Sequence, residues 1–159
     1  MTQHTTTQVI ATRVRGCLIV TLPADLLPEV IDEARRATLE NLHRHGARVV
    51  VLELSAVQVM DQQDFESLRS ITLMARLLGA RTLWVGLRAG IVLHLVDNDV
   101  DTTDIEAMRD LEEALLRADA DSGQVEADEA EGLPDDEQPD YGAQTWSQLD
   151  DPLAEEPRS

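Results

Sequence analysis

An α/β fold, a small mixed β-sheet covered by helices in the order ββαβαβαα, is predicted by three features of residues 1–118. Two short β-branched runs come first, two later runs are almost wholly apolar, and the segments after them repeat apolar residues at helical spacing. Val9–Ala11 and Cys17–Leu22 ("CLIVTL") are separated by Arg13–Gly16 and read as a hairpin. Pro28 then opens a helical pattern in which Val30, Ile31, Ala34, Ala37, Leu39 and Leu42 recur. Proline suits a first turn, where its missing N–H has no partner to lose. "HRHG" closes that helix, with His43, Arg44 and His45 at the negative end of the dipole and Gly46 free to take a left-handed cap.

"RVVVLEL" (Arg48–Leu54) has the continuous apolar character of a central strand. After a loop at Ser55–Asp61, a helix is expected over about Gln62–Leu78, closed by Gly79. Asp61 and Asp64 stand in capping-box spacing, with Asp in place of the usual Glu. "RTLWVGL" (Arg81–Leu87) is a fourth strand, Gly90–Val96 a short helix, and Thr103–Ala118 a last helix. The last helix is expected to be capped by Thr102 or Thr103 and phased by Ile105, Met108, Leu111 and Leu115.

Two domains of composition follow. Residues 1–118 hold 17 acids and 12 arginines, a net −5; residues 119–159 hold 14 acids and one arginine, a net −13. There is no lysine. The second segment is rich in Pro and Gly and almost free of β-branched residues, so it is expected to be a disordered acidic tail. Within it, Tyr141, Trp146 and Leu149 are either chance aromatics in a solvated tail or a short motif that docks on a partner. Acidity of this size argues against nucleic acid and anionic membranes, which both need basic patches. Met1–Ala11 lacks the pattern of a signal peptide, and no apolar run reaches the roughly 20 residues of a membrane span, so a cytoplasmic protein is expected.

No catalytic set emerges. Neither GxGxxG nor GxxxxGK[ST] occurs. Cys17, alone in its type, sits in an apolar strand and reads as a buried, inert thiol. His43 and His45 suit a helix end better than a metal site, and His94 is expected to pack among Ile91, Val92, Leu93 and Leu95. No metal and no cofactor is expected. Asp61 is the most enzyme-like residue, because it lies just beyond the carboxyl end of a strand, but its spacing to Asp64 reads as a helix cap.

"GCLIVTL" (Gly16–Leu22), "ELSAVQVMD" (Glu53–Asp61), "LLGARTLWVGL" (Leu77–Leu87) and "RAGIVLHLVD" (Arg88–Asp97) together resemble the STAS domain of anti-sigma-factor antagonists, most nearly the small RsbS-type subunit of bacterial stressosomes. The likeness spans about residues 9–117. It implies a non-enzymatic regulator that binds a switch kinase or an anti-sigma factor and assembles with other STAS-domain subunits. By that resemblance the partner surface comprises Asp61, Gln62, Gln63, Asp64 and Phe65, beside Leu87, Arg88 and Ala89, with Phe65 either a core anchor or an exposed hot spot. The family phosphorylates a Ser or Thr directly after the Asp, and often a Thr on the next strand before the Gly. Here those positions are Gln62 and Val85, so both acceptors are substituted, while Ser67 and Ser70 are candidates for a relocated acceptor. The alternatives are a degenerate STAS scaffold or adaptor subunit with the tail as effector, and a small α/β enzyme with a site near Asp61.

Overall fold

The computed structural model describes residues 8–120. The acidic segment with Tyr141, Trp146 and Leu149 lies outside the described residues. Strand β1 (Ile10–Val14) and β2 (Cys17–Thr21) form the expected hairpin. Its two-residue turn holds both Arg15 (φ 49°) and Gly16 (φ 80°) in left-handed conformation. Two positive φ values are what a type I′ turn requires, and that turn matches the twist of the strands it joins. Helix α1 (Pro28–His45) has Pro28 in its first turn and ends on Gly46 at φ 62°. Strand β3 (Val49–Glu53), helix α2 (Gln62–Leu77), strand β4 (Arg81–Val85) and helix α3 (Ala89–Asp97) follow.

The sheet runs β1-β2-β3-β4-β5, with β1 antiparallel and the other neighbours parallel. β3 is therefore the central strand, as its unbroken apolar run requires. The expected last helix is corrected in its first half. Glu106–Met108 is a fifth strand, β5, paired parallel to Leu83–Val85, and the helix α4 occupies only residues 111–120. Of the four phased residues, Ile105 packs against one apolar cluster, while Met108 of β5 and Leu111 and Leu115 of α4 pack against another. Nor does Thr102 or Thr103 cap a helix. The Asp101 carboxylate takes the N–H and O–H of Thr103 (3.0 and 2.7 Å), closing an Asx turn. The cap of α4 is Asp110, which accepts the Glu113 N–H at 3.0 Å.

Two apolar layers flank the sheet. The larger joins Leu18, Val20, Val50, Leu52 and Trp84 of the strands to Ile31, Ala34, Phe65, Leu68, Ile71, Ile91 and Leu95 of α1, α2 and α3. The smaller joins Cys17, Ile19, Val49, Val51, Leu83 and Val85 to Ala114 and Ala118 of α4. Alternate strand residues point to opposite faces, so strands covered on both sides must be apolar throughout. Within α1 the core position expected of Ala37 and Leu39 belongs to Thr38 instead, fully buried with its hydroxyl donating to the Ala34 carbonyl at 2.7 Å. That internal hydrogen bond lets a polar side chain serve as an apolar one.

Candidate regulatory surface

The candidate surface lies where the carboxyl ends of β3 and β4 meet the amino end of α2. The loop after β3 is pinned by three buried side chains, Leu54, Val57 and Met60, so that Ser55, Ala56, Gln58 and Val59 are turned outward. The chain fixes it further with Ser55 N–H to Glu53 Oε1 (2.9 Å) and Gln58 N–H to the Ala24 carbonyl (3.1 Å). Arg88, at the start of α3, reaches across. Its guanidinium donates to the Ser55 carbonyl at 3.2 and 3.3 Å and to Gln58 Oε1 at 3.3 Å. A cleft of about 330 Å³ opens between the loop and α3, walled by Gln58, Val59, Asp61, Arg88, Gly90 and His94.

Asp61 is the N-cap of α2. Its carboxylate accepts the Asp64 N–H at 2.8 Å, and the Asp64 carboxylate accepts the Asp61 N–H at 3.1 Å, a complete capping box. Burial is the main reason the Asp64 carboxyl is held above its ordinary pKa. The Asp61 amide it accepts pulls it back, and the negative charge of Asp61 pushes it up again. Gln62 and Gln63 occupy the first turn and are exposed, in the zone of unpaired amides and positive dipole.

Phe65 is not part of this surface. It is 1% exposed, with its ring centroid 5.4 Å from that of Trp84 and the planes tilted by 52°. A residue four positions after the cap turns toward the sheet, so of its two readings the core anchor is the one adopted. Leu87 is half-buried, and Arg88 and Ala89 are exposed. Val85 is 1% exposed beneath α4 in the smaller layer, away from the outer face of the loop. Ser70 faces α1: its hydroxyl donates to the Ser67 carbonyl at 2.6 Å and receives Arg35 at 3.4 Å. His94 is exposed, because Ile91 and Leu95 alone supply the inward face of α3.

One determinant the sequence reading missed is Gly86, at φ 75°. A Cβ there would lie 2.1 Å from Ser55 Oγ and 3.0 Å from the Ser55 backbone nitrogen. The close approach brings the β4–α3 corner against the loop, and the signal available for it was the glycine that ends "TLWVG". Among the described residues, no group of three His, Cys, Asp or Glu is placed to hold a metal ion, and no helix is long and apolar enough to cross a membrane.

No protein-family model matches this sequence, and no curated protein matches it. Solved structures do. RsbS of Moorella thermoacetica superposes with a TM-score of 0.63 at 19% identity, over 72% of this chain and 97% of that one. A chain of the stressosome, described as a signal integration and transduction hub, gives 0.58 at 18% identity over 71% and 98%. A putative anti-sigma factor antagonist of Thermotoga maritima gives 0.57 at 16% identity over 69% and 93%. With a five-stranded mixed sheet, its covering helices and this agreement over nearly the whole of each neighbour, the chain has the STAS-like fold shared by RsbS and the anti-sigma factor antagonists.

Proposed function

We propose that the chain is a non-enzymatic regulator of the anti-sigma-factor-antagonist or stressosome type. It binds a switch kinase or an anti-sigma factor through the first turn of α2, the loop before it and residues 87–89. It lacks the usual phospho-acceptor. The observation that carries this reading is the setting of Gln62. An exposed amide side chain stands at the first turn of a helix, beside a loop braced by Arg88, where an added phosphate would change the charge of a bindable face. Gln accepts no phosphoryl group, so this face stays in its unmodified state. Against an enzyme stands the structural part that Asp61 plays, its Oδ1 accepting the Asp64 amide to cap α2. A scaffold or adaptor role is favoured by a second observation. Val92, Leu93 and Val96 expose 43, 63 and 60% of their surface along α3, as a subunit that packs against others would.

The test combines two variants with a purified switch kinase of the histidine-kinase-like ATPase fold and ATP. Gln62→Ser takes up phosphate and loses affinity for its partner, whereas the wild type takes up none. Gln63→Arg weakens binding with an unchanged Tm. Stoichiometric phosphorylation of the wild type on Ser67 or Ser70 refutes the locked state. Absence of any complex with the kinase or with an anti-sigma factor, combined with a large assembly by solution mass, leaves the scaffold reading in its place.

A further inference from the structure

The outer face of α2 carries apolar side chains that the described residues leave open to solvent. Leu73 and Leu77, one turn apart on the same side of the helix, expose 43 and 87% of their surface, and Leu78 at the helix end is exposed as well. The fold does not need leucines there, because α2 meets the core through Phe65, Leu68, Ile71 and Ala75. Apolar residues scattered singly over a surface need no explanation, whereas a contiguous group marks a place where something docks.

Arginines border this group. Arg69 bonds Asp104 at 2.8 Å and Glu66 at 3.4 Å. Arg81 bonds Glu106 (Nε to Oε2, 2.6 Å), which also faces Arg117 of α4 at 3.8 Å. Arg76, exposed and one position before Leu77, makes no ion pair among the described residues. Arg76, Arg81, Asp104 and Glu106 wall one cleft, so these groups form a band from α2 round the edge of the sheet to α4. Four arginines against three carboxylates leave a positive surplus at Arg76, on a stretch (residues 1–118) whose net charge is −5.

The same edge is where the chain leaves the described fold. Arg117 stands three residues before the end of α4 at residue 120. Beyond lies the acidic segment, and within it Tyr141–Leu149 carries no charge, with Asp135, Asp136, Glu137 and Asp140 before it and Asp150 and Asp151 after it. Trp146 is 26 residues past Ala120. That length reaches up to about 90 Å when extended, against a radius of gyration of about 13 Å for a fold of this size.

We propose that Tyr141–Leu149 docks on the outer face of α2 in its own chain. Trp146 and Leu149 cover Leu73, Leu77 and Leu78, and the flanking carboxylates face Arg76. The exposed apolar residues of α3 are a poorer seat for this segment, because Asp97, Asp99 and Asp101 follow them and repel its acidic flanks. The contact is separate from the candidate surface at the other end of α2.

Trp146 is its own reporter, since Trp84, the other tryptophan, is fully buried. Acrylamide quenching of the full-length protein, corrected for Trp84 with the Trp146→Phe variant, reads the exposure of Trp146. A connection of this length gives an effective concentration on the order of 1 mM. An intrinsic Kd of about 0.1 mM then protects Trp146 about tenfold relative to N-acetyltryptophanamide. Leu77→Asp and Arg76→Glu each abolish that protection with Tm unchanged, as befits exposed positions. The wild-type protection does not vary with protein concentration. A wild-type Trp146 as open to quenching as the free compound overturns the proposal. So does protection retained in both variants, or protection that grows with concentration alongside a doubled solution mass, which would mean that a second copy covers α2.

Discussion

Gly86 joins local geometry to the candidate surface most directly. Its φ of 75° is costly for any residue with a Cβ, and that Cβ would intrude on the side chain and backbone of Ser55. Gly86→Ala is therefore expected to destabilise the protein by about 2 kcal/mol, the combined effect of a left-handed non-glycine and a displaced loop. Urea unfolding reads the loss, and an unchanged midpoint would mean that the loop moves aside freely. Neighbouring residues show how far sequence alone reaches at this scale. The cap at Asp61 was legible because its partner is three positions away, inside one turn. The contact of Gly86 with Ser55 spans two elements and leaves no trace in local spacing. Phe65 was legible only as two alternatives, since the fourth position after a cap faces either solvent or sheet according to how the helix rolls.

At the level of elements, helix α2 carries two carboxylates at its amino end, and their titration has a determinate sign. Asp64 holds its proton more tightly in the folded chain than in the unfolded one, chiefly because it is partly buried. Its ionisation consequently weighs against the fold above the raised folded value. That penalty is relieved as pH falls toward the unfolded value of 3.8. Asp101, bonded by the Thr103 N–H and O–H, and Asp110, bonded by the Glu113 N–H, are shifted the other way. Their contribution is present above the ordinary value and lost only in stronger acid. Relative to Asp64→Asn, the wild type should gain stability as pH is lowered from about 7 to about 4, measured by urea midpoints at each pH. A wild type that loses stability relative to Asp64→Asn on acidification would show that the capping hydrogen bonds outweigh the burial of Asp64. The missed element, β5, belongs to this scale too. Three residues are too few to display the period of two that marks a strand. What holds them is the pairing to Leu83–Val85 and the reach of Arg81 to Glu106, 25 positions apart.

At the scale of the whole molecule, the sheet is covered unequally among the described residues, by three helices on one face and by α4 alone on the other. Cys17, Ile19, Val49, Val51, Leu83 and Val85 depend on a single helix, seated through Ala114 and Ala118, for their separation from water. The first four strands followed from hydrophobic runs, but this asymmetry did not, because it turns on where one helix begins, and the Asp101 turn and β5 delay that start. Cys17 is a built-in probe of the arrangement. It is buried, it is the sole cysteine, and burial together with the nearby Asp119 charge pushes its thiol above the ordinary value, so little thiolate is present near neutral pH. Ala114 is fully buried against the sheet, and a charge there has no partner to meet in the smaller layer. Ala114→Glu is expected to lift α4 while the larger layer keeps the remaining helices in place. Cys17 should then react with a thiol reagent at least about tenfold faster than in the wild type, with far-UV circular dichroism largely retained. If Cys17 in the variant stays as slow as in the wild type and the fold is retained, the smaller layer is held by more than α4. If the variant loses all its secondary structure, the two layers form one cooperative unit, and the same reagent on the wild type in mild urea would then expose Cys17 only with global unfolding.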